Sequence, residues 1–178
     1  MTQQGSVAYW GDKRVLVTGA SGMVGSWLTR WLAESGAYTV AFIADSDPQS
    51  ELMRSGIINK VNVVNGRLEN YDDIERAINN HEVDSIFHLG AQPIVGAADR
   101  SPRHTFESNI QGTWNLLDAC RTLSPLVRRI IVASSDKAYG TQPVLPYTED
   151  MSMNGDHPYE VSKSCTDLIS TTYARTYG

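Results

Sequence analysis

Five short apolar runs recur along the chain, each followed by a longer stretch with helical periodicity: "RVLVTG" (14–19), "YTVAFIA" (38–44), "VNVVNG" (61–66), "SIFHLGA" (85–91) and "RIIVASS" (129–135). Each run is continuous rather than alternating apolar with polar, the pattern of a strand covered on both faces by helices. Helical patterns fall near 23–35, 50–56, 71–80, 103–123 and 157–177. In the third, Ile74, Ala77 and Ile78 share one face; in the fourth, Phe106, Ile110, Leu117 and Cys120 recur at helical spacing. Repeated β-α pairs imply a parallel sheet with right-handed crossovers. The expected fold class is α/β, doubly wound.

A length of 178 residues suits one domain with a real core. Fifteen Lys and Arg against 20 Asp and Glu give a formal charge of −5, with no basic stripe to follow a phosphate backbone, which argues against nucleic acid. Cys120 and Cys165 lie far apart in helical stretches, so no disulfide framework or CxxC pair is available and a reducing, cytoplasmic setting is expected. His81, His88, His104 and His157 show no metal-ligand spacing, and no metal is expected. The N-terminus "MTQQGSVAYWGDKRV" has no charged region followed by an apolar stretch, and no apolar run approaches the ~20 residues that span a bilayer. A soluble protein, neither secreted nor membrane-embedded, is expected. One long polar, Pro-rich loop, "TQPVLPYTEDMSMNGDHP" (141–158), reads as a lid or substrate loop.

The first strand runs into "TGASGMVGSWL", with Gly19, Gly22 and Gly25 in G-x-x-G-x-x-G spacing and a helix starting at about Met23. Such a turn lets the backbone approach a diphosphate closely and aims the N–H groups of the helix start at the anion. Its position after the first strand favours dinucleotide binding over a merely glycine-rich turn. Asp45, 20 residues after Gly25 at the end of the second strand, suits an adenosine ribose and hence NAD rather than NADP, although Asp47 is close by and "ADSDPQS" also reads as a solvated turn. "HPYEVSKS" puts Tyr159 and Lys163 one helical turn apart on one face. A cation beside a phenol favours the phenolate, which makes a base usable near neutral pH; without the upstream context the pair reads as two exposed helix residues. The fifth run ends in "ASSDKAYGT", which lines up Ser134, Ser135, Asp136 and Lys137 at the sheet edge where ligands of such folds bind. Read blandly, Asp136 stabilises a turn and Lys137 is a surface charge.

Together, "TGASGMVG", "IFHLGAQ" (86–92), "ESNIQGTWNLLDACR" (107–121), "SSDKAYG" and "YEVSK" resemble the extended short-chain dehydrogenase/reductases, the nucleotide-sugar epimerases and dehydratases, over essentially the whole chain. The resemblance implies the N-terminal, Rossmann-like, NAD-binding portion of such an enzyme. It implies cofactor contacts at Gly19, Ser21, Gly22, Met23, Val24 and Gly25, at Asp45 and Leu68, and at Leu89, Gly90, Ala91 and Gln92. It adds Asn109 as the anchor of the active-site framework and Ser134 beside the nicotinamide, with Ser135, Tyr159 and Lys163 as catalytic hydroxyl, base and supporting cation. "Ser-Asp-Lys" at 135–137 is similar to the CDP-glucose 4,6-dehydratase branch, where these positions would serve as hydroxyl, acid and base. Two departures stand out: Arg67 where the family usually has an acid near the adenine, and Gly90 where alanine is more usual.

What the resemblance implies is oxidation at C4 of a sugar nucleotide with NAD, loss of water across C5 and C6, and return of hydride to C6. A 4-epimerase, which needs only Ser135, Tyr159 and Lys163, is the nearest alternative; a non-catalytic NAD-binding module is the second. The family also implies a homodimer through the helices that contain 107–123 and 160–177. Because family members continue well beyond this length, the chain is expected to be truncated before the last strands and the substrate domain.

Overall fold

The computed structural model describes residues 9–123 and 125–178. The first eight residues, part of the stretch read above as lacking a leader, lie outside the described residues. Strands β1 (Arg14–Thr18), β2 (Tyr38–Ile43), β3 (Asn62–Asn65), β4 (Ser85–His88) and β5 (Arg129–Val132) form one parallel sheet in the order β3-β2-β1-β4-β5. The helices are α1 (Met23–Glu34), the one-turn α2 (Glu51–Arg54), α3 (Tyr71–Asn80), α4 (Val95–Arg100), α5 (Pro102–Phe106), α6 (Gly112–Thr122) and α7 (Pro158–Tyr177). This is the doubly wound, Rossmann-like α/β fold. Strand order reverses between β1 and β4, and the crevice beyond their carboxyl ends is where such sheets bind ligands.

The continuous apolar runs are explained by two cores, one on each face. From β1, Leu16 enters a core with Val40, Ile74, Ile78, Ile86 and Leu116, while Val15 and Val17 enter another with Ala41, Ile43, Leu32 and Leu52. Each such fully buried branched side chain contributes about 1.5–3 kcal/mol. Cover on both faces fails at the sheet edges: β3 alternates half-buried and exposed residues, and on β5 Ile130 and Ile131 are 36% and 53% exposed. An edge strand has a neighbour on one side only, so its run can be as apolar as a central one and still meet solvent.

Two helical expectations change in detail. The pattern at 50–56 makes only α2, because Gly56 at φ 72 ends it and a 3₁₀ turn, Ile57–Lys60, follows. The pattern at 103–123 is not one regular helix: a π-helical turn, Glu107–Gln111, joins α5 to α6. The wider turn rotates the register, so that Asn109 is buried while Phe106 and Ile110 are only half-buried. Such bulges often mark functional sites. Helix α4 and a 3₁₀ turn, Asp136–Tyr139, had no counterpart in the periodicity.

Candidate active site

A cleft of about 670 Å³ opens at the reversal point, lined by the glycine turn, the ends of β2 and β3, the loop after β4, and Tyr159 and Lys163 of α7. Each glycine of the turn has its own constraint. Gly19 sits at φ 67, and a Cβ there would lie 2.8 Å from the backbone of Gly90. At Gly25 a Cβ would fall 2.1 Å from the carbonyl oxygen of Gly19, so only glycine lets α1 start this close to the turn. Gly22 is the N-cap of α1, and no side chain caps that helix end or places an acid in its first turn. Its free N–H groups, beside exposed Met23 and Val24 and half-buried Ser21, can take an anion such as a diphosphate.

Asp45 is exposed and lines the cleft just past β2. Its rival Asp47 is occupied in a turn: its carboxylate accepts from Gln49 N at 2.8 Å and its carbonyl from Ser50 N and Oγ. Leu68 is wedged between two glycines, for a Cβ on Gly90 would meet its Cδ1 at 2.8 Å and one on Gly112 its Cβ at 2.6 Å. With no Cβ at Gly90, Leu68 Cδ1 occupies that space. The backbone around Leu68 is held from α6 and the π turn: Asn115 Nδ2 donates to Leu68 O and Gln111 Nε2 to Glu69 O. Arg67 lines the cleft with its side chain exposed.

Asn109 joins three elements. Its Oδ1 accepts from Gln92 N at 2.7 Å, and its Nδ2 donates to Gln92 O at 3.1 Å and to Ser162 Oγ at 2.9 Å. The loop Leu89–Gly90–Ala91–Gln92, all four residues lining the cleft, is thereby tied to α7. Lys163, 7% exposed, donates from Nζ to the carbonyl of Ala133, and burial pushes its pKa below the ordinary lysine value. Ala133 and the exposed Ser134 border the cleft.

The structure therefore brings together the glycine turn, Asp45, Leu68, the loop 89–92, Ser134, Tyr159 and Lys163. Ser135, Asp136 and Lys137 are adjacent to it but do not line it among the described residues. The Ser135 hydroxyl caps the 3₁₀ turn by accepting from Lys137 N at 3.2 Å and lies 3.3 Å from Asp136 Oδ1, while Asp136 and Lys137 are exposed. The polar loop at 141–158 is tied back to the 3₁₀ turn and its cap, with Asn154 N donating to Ala138 O and Tyr147 OH to Gly140 O, and none of its residues lines the cleft. Sequence reasoning missed Ser162, the partner of Asn109, and the wall made by Pro93, His104 and Ser108. Ser162 stands one residue before Lys163 in the quoted motif; the wall was not legible, because it draws one residue each from the loop after β4, from α5 and from the π turn.

Burial pushes the Cys120 thiol up to about 12, which leaves it inert, and both cysteines are free. No His, Cys, Asp or Glu cluster suited to a metal occurs among the described residues, and no helix among them is long and apolar enough to cross a membrane.

Comparison with known proteins fits this geometry. The sequence pattern of the family described as GDP-mannose 4,6 dehydratase matches residues 16–178. CDP-glucose 4,6-dehydratase of Salmonella typhimurium is 29% identical over 171 residues, covering 95% of this chain and 47% of that protein. The crystal structure of UDP-glucose 4-epimerase from Brucella ovis in complex with NAD superposes with a TM-score of 0.82 at 27% identity, over 93% of this chain and 49% of the other. The enzyme of the same name from Thermotoga maritima, with UDP-glucose, gives 0.81 at 28%, over 93% and 52%. The chain spans about half the length of the relatives it matches. It belongs to the GDP-mannose 4,6 dehydratase-type family of NAD-dependent nucleotide-sugar dehydratases and epimerases, within the extended short-chain dehydrogenase/reductases.

Proposed function

We propose that this chain is the NAD-binding part of a nucleotide-sugar 4,6-dehydratase acting on a CDP-glucose-like substrate, with the sugar-nucleotide domain supplied by further sequence. The observation that carries the NAD-dependent part of the reading is the meeting of an uncapped, glycine-lined helix start with Tyr159 and Lys163 in one cleft. The dehydratase part is supported by Ser135, Asp136 and Lys137 beside it and by the likeness to CDP-glucose 4,6-dehydratase. The residues present fit NAD: the helix start takes the diphosphate, Asp45 takes the adenosine ribose, and Leu68 floors the adenine side. Bound there, the cofactor would accept hydride from C4 and return it at C6.

The chain's own groups would then move the protons. Tyr159 accepts the proton of the sugar 4-hydroxyl, with Lys163 holding positive charge behind it and Ser135 steering the developing oxygen charge. The C4 ketone makes the C5 proton acidic. Lys137 removes that proton while Asp136 protonates the departing 6-hydroxyl, which leaves as water; Lys137 then gives its proton back to C5 as hydride is restored at C6. Because Lys137 is exposed, it must lose its water to act as a base, and the bound sugar has to provide that cover.

A second reading, a 4-epimerase, is favoured by the same cleft, since Tyr159 and Lys163 line it while Asp136 and Lys137 do not. Its re-reduction at C4 requires no acid and base at C5. Product analysis of the native protein with CDP-glucose separates the two: a 4-keto-6-deoxy sugar develops absorbance in alkali, and an epimer does not. Asp136→Asn should abolish the first product and would spare the second; a native protein that binds NAD and yields neither product would be the non-catalytic module.

Trp114 on α6 and Leu168 on α7 are 45% and 57% exposed, which supports the proposed homodimer through these helices, and sedimentation would test it. A cytoplasmic location is proposed on the two free cysteines.

A further inference from the structure

Several buried polar groups are neither dinucleotide contacts nor proton-transfer residues, yet they bond to one another. His88, the last residue of β4, is 3% exposed; its Nδ1 lies 2.8 Å from Thr18 Oγ1 and its Nε2 3.2 Å from Thr113 Oγ1. Thr18 ends β1 beside Gly19, and Thr113 belongs to the first turn of α6.

The direction of each bond follows from partners that have only one role. The carbonyl of Asn109 only accepts, so Thr113, 2.6 Å away, spends its proton there. The Thr113 oxygen then faces Nε2 with a lone pair, and Nε2 must carry the hydrogen. At the other end the N–H of Gly90 only donates, and it lies 3.0 Å from Thr18 Oγ1. Thr18 accepts that hydrogen and keeps its own, which satisfies Nδ1. A doubly protonated ring would strand the Thr18 proton and bury a second cation near Lys163, with burial already opposing the charged form.

We propose that His88 is a positioning residue held in the neutral, Nε2-protonated tautomer, the hub of a one-way hydrogen-bond chain from Gly90 through Thr18, the imidazole and Thr113 to the Asn109 carbonyl. What the two ends hold gives the chain its role. At one end Gly90 is in backbone contact with the glycine turn, where a Cβ on Gly19 would meet it at 2.8 Å. At the other, the Asn109 amide binds Gln92 and Ser162 of α7, and the Asn109 carbonyl lies 3.2 Å from Thr166 Oγ1, whose single proton also faces the nearer Ser162 carbonyl at 2.9 Å. His88 thus sets the spacing between the diphosphate turn and the helix that carries Tyr159 and Lys163. The consequence for cofactor affinity rests on the NAD reading above; the tautomer does not.

Long-range ¹H–¹⁵N NMR of the histidine-labelled protein reads the tautomer directly. The expected result is a protonated Nε2 and a bare Nδ1 at neutral pH. Thr113→Val removes the Nε2 acceptor while nearly keeping the shape; Thr18 still donates to Nδ1, so the ring should stay Nε2-protonated with that hydrogen unpaired and the chain cut between β4 and α6. NAD affinity, read by titration calorimetry, should fall about fivefold with that cut. A wild-type ring protonated at Nδ1 or at both nitrogens, or a ring that becomes Nδ1-protonated in Thr113→Val, overturns the proposal. An affinity that holds steady in Thr113→Val overturns the positioning role. If Thr113→Val does not fold, the tautomer of the unaltered protein still decides. If the tautomer is as expected and the protein takes up no NAD, the His88 chain stands and the cofactor reading falls.

Discussion

The two ends of the cleft are built on different physical terms. At the cofactor end, the glycine turn, the loop 89–92 and Asn109 are fitted backbone to backbone, and their buried polar groups satisfy one another. At the proposed sugar end, Ser135, Asp136 and Lys137 bond mainly among themselves and stand at or near the surface. The first is pre-organised by packing within this chain. In the proposed reaction the second lacks that packing, and a substrate would have to bring the desolvation that proton transfer requires.

That contrast is broken most severely at Gly25. An added methyl would sit 2.1 Å from Gly19 O and 2.9 Å from Gly19 C, contacts with backbone that no rotamer relieves. Gly25→Ala should therefore push α1 off the turn, destabilise the fold by about 4 kcal/mol and weaken NAD about 100-fold. Chemical denaturation and titration calorimetry read the two effects. Normal affinity in this variant would mean that the turn is looser than its packing indicates.

The cofactor end should also be selectively sensitive to acid through His88. Burial holds its pKa down to about 3, with the Lys163 ammonium adding to the shift, against an ordinary value of 6.5. The unfolded chain thus binds a proton that the folded one refuses, and this contribution to stability is lost as pH falls from 6.5 toward 3. Between pH 7 and pH 5 the loss should be about 2 kcal/mol. Comparing denaturation curves of wild type and His88→Gln checks it: the variant's deficit should shrink by that amount at the lower pH. Lys163 acts in the same direction at alkaline pH. Its folded pKa is lowered by burial, so the desolvation cost is relieved, and stability rises, as pH climbs through that value toward 10.5.

How much of this was legible in the sequence follows the same division. The apolar runs marked all five strands, and the glycine spacing marked the turn, because both are consequences of local backbone geometry and of burial on two faces. Spacing from Gly25 alone favours Asp45 over Asp47; the structure adds that Asp45 lines the cleft and that Asp47 holds the turn at Gln49 and Ser50. His88 stood inside a quoted motif without a partner, since Thr18 and Thr113 lie 70 and 25 residues away along the chain. The π turn was illegible for another reason: it breaks the 3.6-residue period from which helices are recognised, and so moved Asn109 inward in place of Ile110.

The smallest effect is expected where the contrast is sharpest. Replacing Asp136 with Asn and Lys137 with Met removes both charges of the exposed turn, yet Ser135 Oγ still caps it through the backbone N–H of residue 137. Neither side chain is buried, and neither lines the cleft. Stability should move by less than about 0.5 kcal/mol, and NAD affinity by less than about twofold, while on the proposed dehydratase reading the native protein loses formation of a 4-keto-6-deoxy product from CDP-glucose. Thermal denaturation, calorimetry and the alkaline absorbance assay read these separately. A clear loss of NAD affinity in this double variant would show that the turn after β5 belongs to the pre-organised end of the cleft, and the distinction between an end built by packing and an end completed by substrate would fail.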